Sequence, residues 1–132
     1  MTIARREFLA LAAASGVTAT VAAQAPPAPP ASKMYGLIGK MTAVAGKRDE
    51  LLAILLESTK AMPGCLSYLL ATDPADADGL WITEVWTDAA SHKASLTLPA
   101  VQAAIAKGRP LIASFSNRVE TVPVGGVGLA RP

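Results

Sequence analysis

Residues 79–87, Gly-Leu-Trp-Ile-Thr-Glu-Val-Trp-Thr, alternate as a strand does: Leu80, Ile82, Glu84 and Trp86 share one face, and Trp81, Thr83, Val85 and Thr87 the other. A tryptophan on each face predicts that both faces are covered, so this is a central strand. The run Cys65 to Thr72 just before it is also strand-like. Asp73-Pro74 and the acidic stretch through Asp76 and Asp78 supply the loop between them, and the two runs read as a hairpin.

Toward the N-terminus the period changes. From Lys47, Leu51, Leu55 and Met62, joined by Leu52, Ile54, Leu56 and Thr59, make a broad apolar helix face. Asp49 and Glu50 in its first turn suit the helix dipole, and Pro63-Gly64 stops it. Met34 to Val44 sets Tyr35, Leu37, Gly39 and Met41 against Gly36, Ile38, Lys40 and Thr42, a first strand ending at the turn Ala45-Gly46. Toward the C-terminus Asp88 is placed to cap a short helix holding His92, Ser95 and Leu96. After Leu98-Pro99 a second helical piece carries Val101, Ala104 and Ile105 to Gly108. Phe115 to Val122, with Phe115, Asn117, Val119 and Thr121 opposed to Ser116, Arg118, Glu120 and Val122, reads as the last strand. The order strand, helix, strand, strand, helix, strand is α+β, the split ferredoxin-like βαββαβ arrangement. With helices on one sheet face and Trp81 and Val85 on the other, the physical solution is a second copy packed sheet to sheet, so a homodimer is expected.

The first residues are read differently. Arg5-Arg6 precede Phe8-Leu9 and an alanine-rich apolar run to about Val21, weakened by Ser15, Gly16 and Thr18, and then comes the Pro-rich stretch Pro26 to Pro30. The run is shorter than the roughly 18–20 residues that cross a bilayer, so no permanent membrane anchor is expected. The arginine pair and Phe-Leu spacing resemble a twin-arginine signal, although Ala4 stands where a Ser or Thr is usual; an ordinary secretory signal is the alternative. Either predicts an exported, periplasmic protein. Cleavage is expected after Ala23, with Ala25 the alternative, giving a signal peptide at 1–23, an Ala/Pro-rich tether at 24–32 and a domain at 33–128.

The 132 residues hold twelve Lys and Arg against ten Asp and Glu, a net charge of +2. Loss of Arg5, Arg6 and Glu7 leaves +1 and no basic stripe, so no nucleic-acid partner is expected. About 100 residues make one domain. A single cysteine, Cys65, excludes an internal disulfide, and no residues have metal-ligand spacing.

One ordered set of residues carries a resemblance: Gly46-Lys47 with Glu50-Leu51, Pro63-Gly64-Cys65 with Tyr68, Glu84-Val85-Trp86 with Asp88, His92 with Ser95-Leu96 and Leu98-Pro99, and Pro123-Val124-Gly125-Gly126. Together they resemble the antibiotic biosynthesis monooxygenase domain, whose family includes quinol monooxygenase-like proteins and, more distantly, haem-degrading enzymes. The resemblance implies a dimeric α+β barrel. It also implies oxygenation without metal, flavin or other cofactor, in which an electron-rich phenol, quinol or anthrone supplies the electron to oxygen. The protein then binds, deprotonates and excludes water. In the aromatic-polyketide branch a Trp and a Tyr at about this spacing, with an Asn upstream, mark the pocket; here Trp86 fits, His92 takes the Tyr place and Ile82 the Asn place. The haem-degrading branch needs an axial histidine where Val101 to Lys107 has none, and an Asn that the first strand lacks, so haem is not expected.

His92, the only histidine, is the natural base, and Trp86 is the expected pocket wall. Glu84, Tyr68 and Asn117 are the expected substrate-binding groups. Each also has a plainer reading: His92 as a surface or capping residue, Trp86 and Trp81 as core, and Glu84 in a structural ion pair with Arg109 or Arg118. Tyr68 and Asn117 would then satisfy the barrel interior, and Cys65 would be a small buried apolar group. Two functions follow. One is a cofactor-independent monooxygenase acting with O2 on a small quinol-like or polycyclic phenolic substrate; the other is a non-catalytic dimeric barrel that binds a small apolar ligand. They divide on whether His92 faces an apolar cavity together with Trp86.

Overall fold

The protein is described by a computed structural model over residues 33–130. The expected signal segment and tether lie outside the described residues. The elements are β1 (Tyr35–Ala43), α1 (Arg48–Ser58), β2 (Cys65–Thr72), β3 (Gly79–Trp86), α2 (Ala89–Ser95), α3 (Pro99–Gly108), a 3-10 turn (Arg109–Leu111) and β4 (Ile112–Thr121). This is the expected α+β order, with the second helix broken in two at Pro99. Proline has no N–H to donate and suits a helix's first turn, so Leu98-Pro99 ends one helix and starts the next.

The four strands form one sheet in the order β2-β3-β1-β4, with all three neighbouring pairs antiparallel. β3 and β1 are therefore central. Their register sets Tyr35 opposite Trp86, Leu37 opposite Glu84, Gly39 opposite Ile82 and Met41 opposite Leu80. Those alternate positions make up the face the helices cover. Met41, Ala43, Leu51 and Leu80 form the buried core there, with Leu52, Leu55, Leu70, Ile82, Leu111 and Ile112 packed around it. Leu51 is fully enclosed, a burial that contributes about 1.5–3 kcal/mol. α1 stops at Ser58, four residues short of Met62, and Leu56 points outward, so the broad apolar run is only partly used by the core.

β4 departs from simple alternation. Ile38 and Lys40 on β1 face Val119 and Ser116, so three steps on β4 match two on β1. The extra residue is a bulge, and Asn117 within it has φ 52, a left-handed conformation that Asn tolerates better than most residues. The bulge flips the alternation. Phe115 stands opposite Met41 on the helix face, while Val119 stands opposite Ile38 on the open face. The open face carries exposed apolar side chains, among them Leu69 at 61 % and Val119 at 52 %. Among the described residues no helix is long and apolar enough to cross a membrane.

Candidate active site

Three local choices bring the site together. Alternation on β3 puts Glu84 and Trp86 on the helix face, where β1 sets Leu37 and Tyr35 beside them. Asp88 caps α2, its Oδ1 accepting from the Ser91 backbone N–H at 2.7 Å, and this anchors the helix immediately after β3. The loop before β2 closes against that helix through Gly64 (φ +82), where a Cβ would lie 2.6 Å from Ser91 Cβ. One turn into α2, His92 then turns back over the sheet, with Leu96 four residues on along the same helix face.

His92 is held between two aromatic rings, Tyr35 at 5.0 Å and Trp86 edge-on at 5.5 Å between centroids. Its Nε2 lies 3.6 Å from Glu84 Oε2, and only 18 % of the side chain is exposed. Glu84 Oε2 also accepts the Trp86 indole N–H at 2.8 Å. Glu84 is a buried carboxylate, and burial pushes its pKa above the ordinary 4.5, with the Trp86 hydrogen bond, His92 and Arg118 opposing that rise.

This group faces a cavity of about 430 Å³. Leu37, Met41, Ile82, Leu96 and Phe115 make its apolar walls, Glu84, His92 and Arg118 supply its ionisable edge, and Lys40, whose ammonium is held by Asp73 and Asp76, also lines it. Gly39 lines it with no side chain, and a Cβ there would meet nothing within 4 Å, so the missing side chain keeps this part of the hollow open. At the rim Glu120 accepts from Tyr35 Oη at 3.0 Å and from Arg118 at 3.3 Å.

The residues singled out from sequence are only partly gathered here. His92 and Glu84 line the cavity. Trp86 does not: at 1 % exposure it sits behind Glu84 as a hydrogen-bond donor and a flank for His92, not as a wall. Tyr68 stands opposite Glu84 on β2 without lining the cavity; burial, then the nearby Glu84, raises its pKa well beyond the ordinary phenol value. Asn117 is exposed in the bulge and away from the cavity, because the inserted residue breaks the alternation that would have turned it inward. Glu84 takes Trp86 and His92 as partners rather than Arg109 or Arg118, although Arg118 lines the same hollow. Cys65 is half-buried with its thiol pKa raised by that burial, and its Sγ donates to the Ser67 carbonyl. Among the described residues no three His, Cys, Asp or Glu side chains converge as a metal site.

Sequence reading missed Tyr35, Gly39, Leu96 and Phe115 as parts of the site. A signal existed for two of them. Tyr35 and Gly39 share the Leu37–Met41 face, and a glycine amid large apolar neighbours on a covered face leaves out side-chain volume that a ligand can use.

The profile of the antibiotic biosynthesis monooxygenases matches residues 34–107. A solved structure of a provisionally assigned antibiotic biosynthesis monooxygenase from Chloroflexus aurantiacus is 64 % identical, with a TM-score of 0.72 over 74 % of this chain and 99 % of that one. A Pseudomonas aeruginosa protein at 21 % identity (TM-score 0.64, covering 74 % and 100 % of the two chains) shares the fold. So does SnoaB, a cofactor-independent oxygenase from Streptomyces nogalater, at 14 % identity (TM-score 0.61, 73 % and 98 %). No curated protein matches the chain. On the profile match and the Chloroflexus likeness, the chain belongs to the antibiotic biosynthesis monooxygenase family.

Proposed function

We propose that this protein is a cofactor-independent monooxygenase that oxidises a quinol-like, anthrone or polycyclic phenolic substrate with O2, and that His92 is its base. The observation that carries this is the meeting of His92 and Glu84 at the edge of an otherwise apolar cavity. His92 takes the proton of the bound substrate, and the Glu84 carboxylate beside it stabilises the imidazolium that forms. The carbanion or phenolate then passes one electron to O2, and the resulting radical pair joins into a peroxide. With an anthrone, protonation of that peroxide, loss of the remaining C–H proton and cleavage of the O–O bond give a carbonyl and water. One oxygen atom goes to each, and no external reductant is consumed. The apolar walls, once a substrate covers them, keep water from the intermediates and strengthen the charge pairing.

The open sheet face supports assembly as a homodimer. Ile38, Leu69 and Val119 lie exposed on it beside the half-buried Trp81 and Val85, and a second copy would cover them. Light scattering at micromolar concentration should give twice the chain mass, and Val119→Lys should shift it to the monomer. The arginine pair and apolar run near the N-terminus support export, which would set the reaction in the periplasm.

The test is oxygen uptake by the metal-stripped protein with reduced quinones and anthrones, with ¹⁸O2 to trace the product. The expected result is uptake above the spontaneous rate, one labelled atom in the new carbonyl of the anthrone product, and a loss of about a hundredfold in His92→Ala. No uptake above background from any of them would leave a binding protein that uses the same cavity.

A further inference from the structure

A second hollow adjoins the cavity of Glu84 and His92. It measures about 490 Å³ and lies between α1, α3 and the start of β4, where Leu51, Leu55, Val101, Ala104, Ile105 and Ile112 line it. The two share Met41, Leu96 and Phe115, which line both. Each by itself falls within the roughly 300–1,000 Å³ of ligand sites. The proposed chemistry occupies only the first. The second has no carboxylate, imidazole, phenol or thiol in its lining, so it can bind but has no proton acceptor to offer.

The shared partition is uneven. Met41 is fixed in the core, but Leu96 is left 43 % and Phe115 69 % exposed. Scattered exposed apolar residues are ordinary; two that divide neighbouring apolar hollows present surface that an apolar ligand passing between them would cover. A flexible chain can pass between two loosely held side chains where a rigid fused ring system would have to displace them.

Building on the oxygenase reading of the first cavity, we propose that the substrate is a hydroxylated ring bearing an aliphatic chain, the ring reacting beside His92 and the chain lying in the second hollow. The ring sets the chemistry and the chain sets the affinity. Each buried methylene tightens binding by about fourfold, the equivalent of about 0.8 kcal/mol at 1.4 kcal/mol per tenfold.

The test uses the full chain and oxidised 2-alkyl-1,4-naphthoquinones, which resemble the reacting ring but have no proton to lose, in a methyl, butyl and octyl series read by calorimetry. The wild type should bind the butyl compound at least about tenfold more tightly than the methyl compound. Ile105→Trp fills the second hollow without touching the first, and Ala113→Phe does so from β4 should the former fail to fold. Either should cut the butyl-over-methyl gain to under about twofold while the methyl Kd stays within about twofold. A gain that survives undiminished in both variants, or is missing from the wild type, overturns the proposal. Binding of the methyl compound without any chain-length gain would refute the second hollow alone and leave the oxygenase standing. Failure of the methyl compound to bind would remove the first cavity's reading, and the proposal with it.

Discussion

Trp81 and Trp86 point from opposite faces of one strand, and each donates its indole N–H to a carboxylate: Trp81 to Asp73 at 3.2 Å, Trp86 to Glu84 at 2.8 Å. The two acids nonetheless move in opposite directions. Asp73 also meets Lys40 at 2.9 Å, with Asp76 on the same ammonium at 3.1 Å, and Lys40 holds both carboxyls below their ordinary value. Glu84 has no lysine. Burial dominates and lifts its pKa, and its other partner is the His92 imidazole. The same donor therefore serves a fixed ion cluster on the open face and a proton-handling pair on the helix face. What differs is the second partner and the dryness of the place, which is where acid–base chemistry becomes available.

The largest expected effect of breaking the helix-face pair is on turnover. His92→Ala and Glu84→Gln should each lower kcat/KM by about a hundredfold or more in oxygen-uptake assays. In the wild type the acidic limb of kcat/KM should lie above pH 4.5, because Glu84 must be ionised and its pKa is raised. In Glu84→Gln the Glu84 component of that limb should be lost from the residual activity.

Removing the shared donor comes next. Trp86→Phe takes away a hydrogen bond to a buried charge, a loss of about 1.5–3 kcal/mol by denaturant titration. That bond holds the Glu84 pKa down, so the acidic limb should move to higher pH.

Stability should respond to Glu84 in the opposite sense from activity. The folded chain holds the Glu84 proton more tightly than the unfolded chain, whose carboxyl titrates near 4.5. Ionising it therefore costs stability as pH rises from that value through the raised one, and the cost persists above it. Glu84→Gln removes the cost and keeps an acceptor for Trp86. Its Tm should exceed that of the wild type at neutral pH, and the two should converge below about pH 4.5.

The smallest effect belongs to the open face. Lys40→Met should lower Tm slightly, by an amount that molar salt erases. A carbon-detected titration should then find the Asp73 pKa risen toward the behaviour of Glu84.

Much of this architecture was legible because it is periodic. The limits of β2 and β3 follow the alternation of Cys65–Thr72 and Gly79–Thr87 to within one residue, and the Asp88 cap follows from one side chain's chemistry. The β4 bulge was not legible. Nothing local forces three residues to face two; pairing with β1 does, and it carries Phe115 to the cavity and leaves Asn117 outside. His92 and Glu84 were visible as a lone histidine and an acid among apolar neighbours. Their meeting, with Tyr35 stacked on the ring from 57 residues away in the chain, depends on tertiary contacts that no spacing encodes. Trp86 was legible as part of the site, but its place behind Glu84 depends on which neighbours enclose the ring.

The most direct measurement compares oxygen uptake on one reduced quinone or anthrone by the wild type, His92→Ala, Glu84→Gln and Asp73→Asn side by side. The expected result is uptake above the spontaneous rate in the wild type and Asp73→Asn alike, and about a hundredfold less in the two cavity variants. Equal rates in all four proteins, or none above background in the wild type, would contradict a His92–Glu84 base in this cavity.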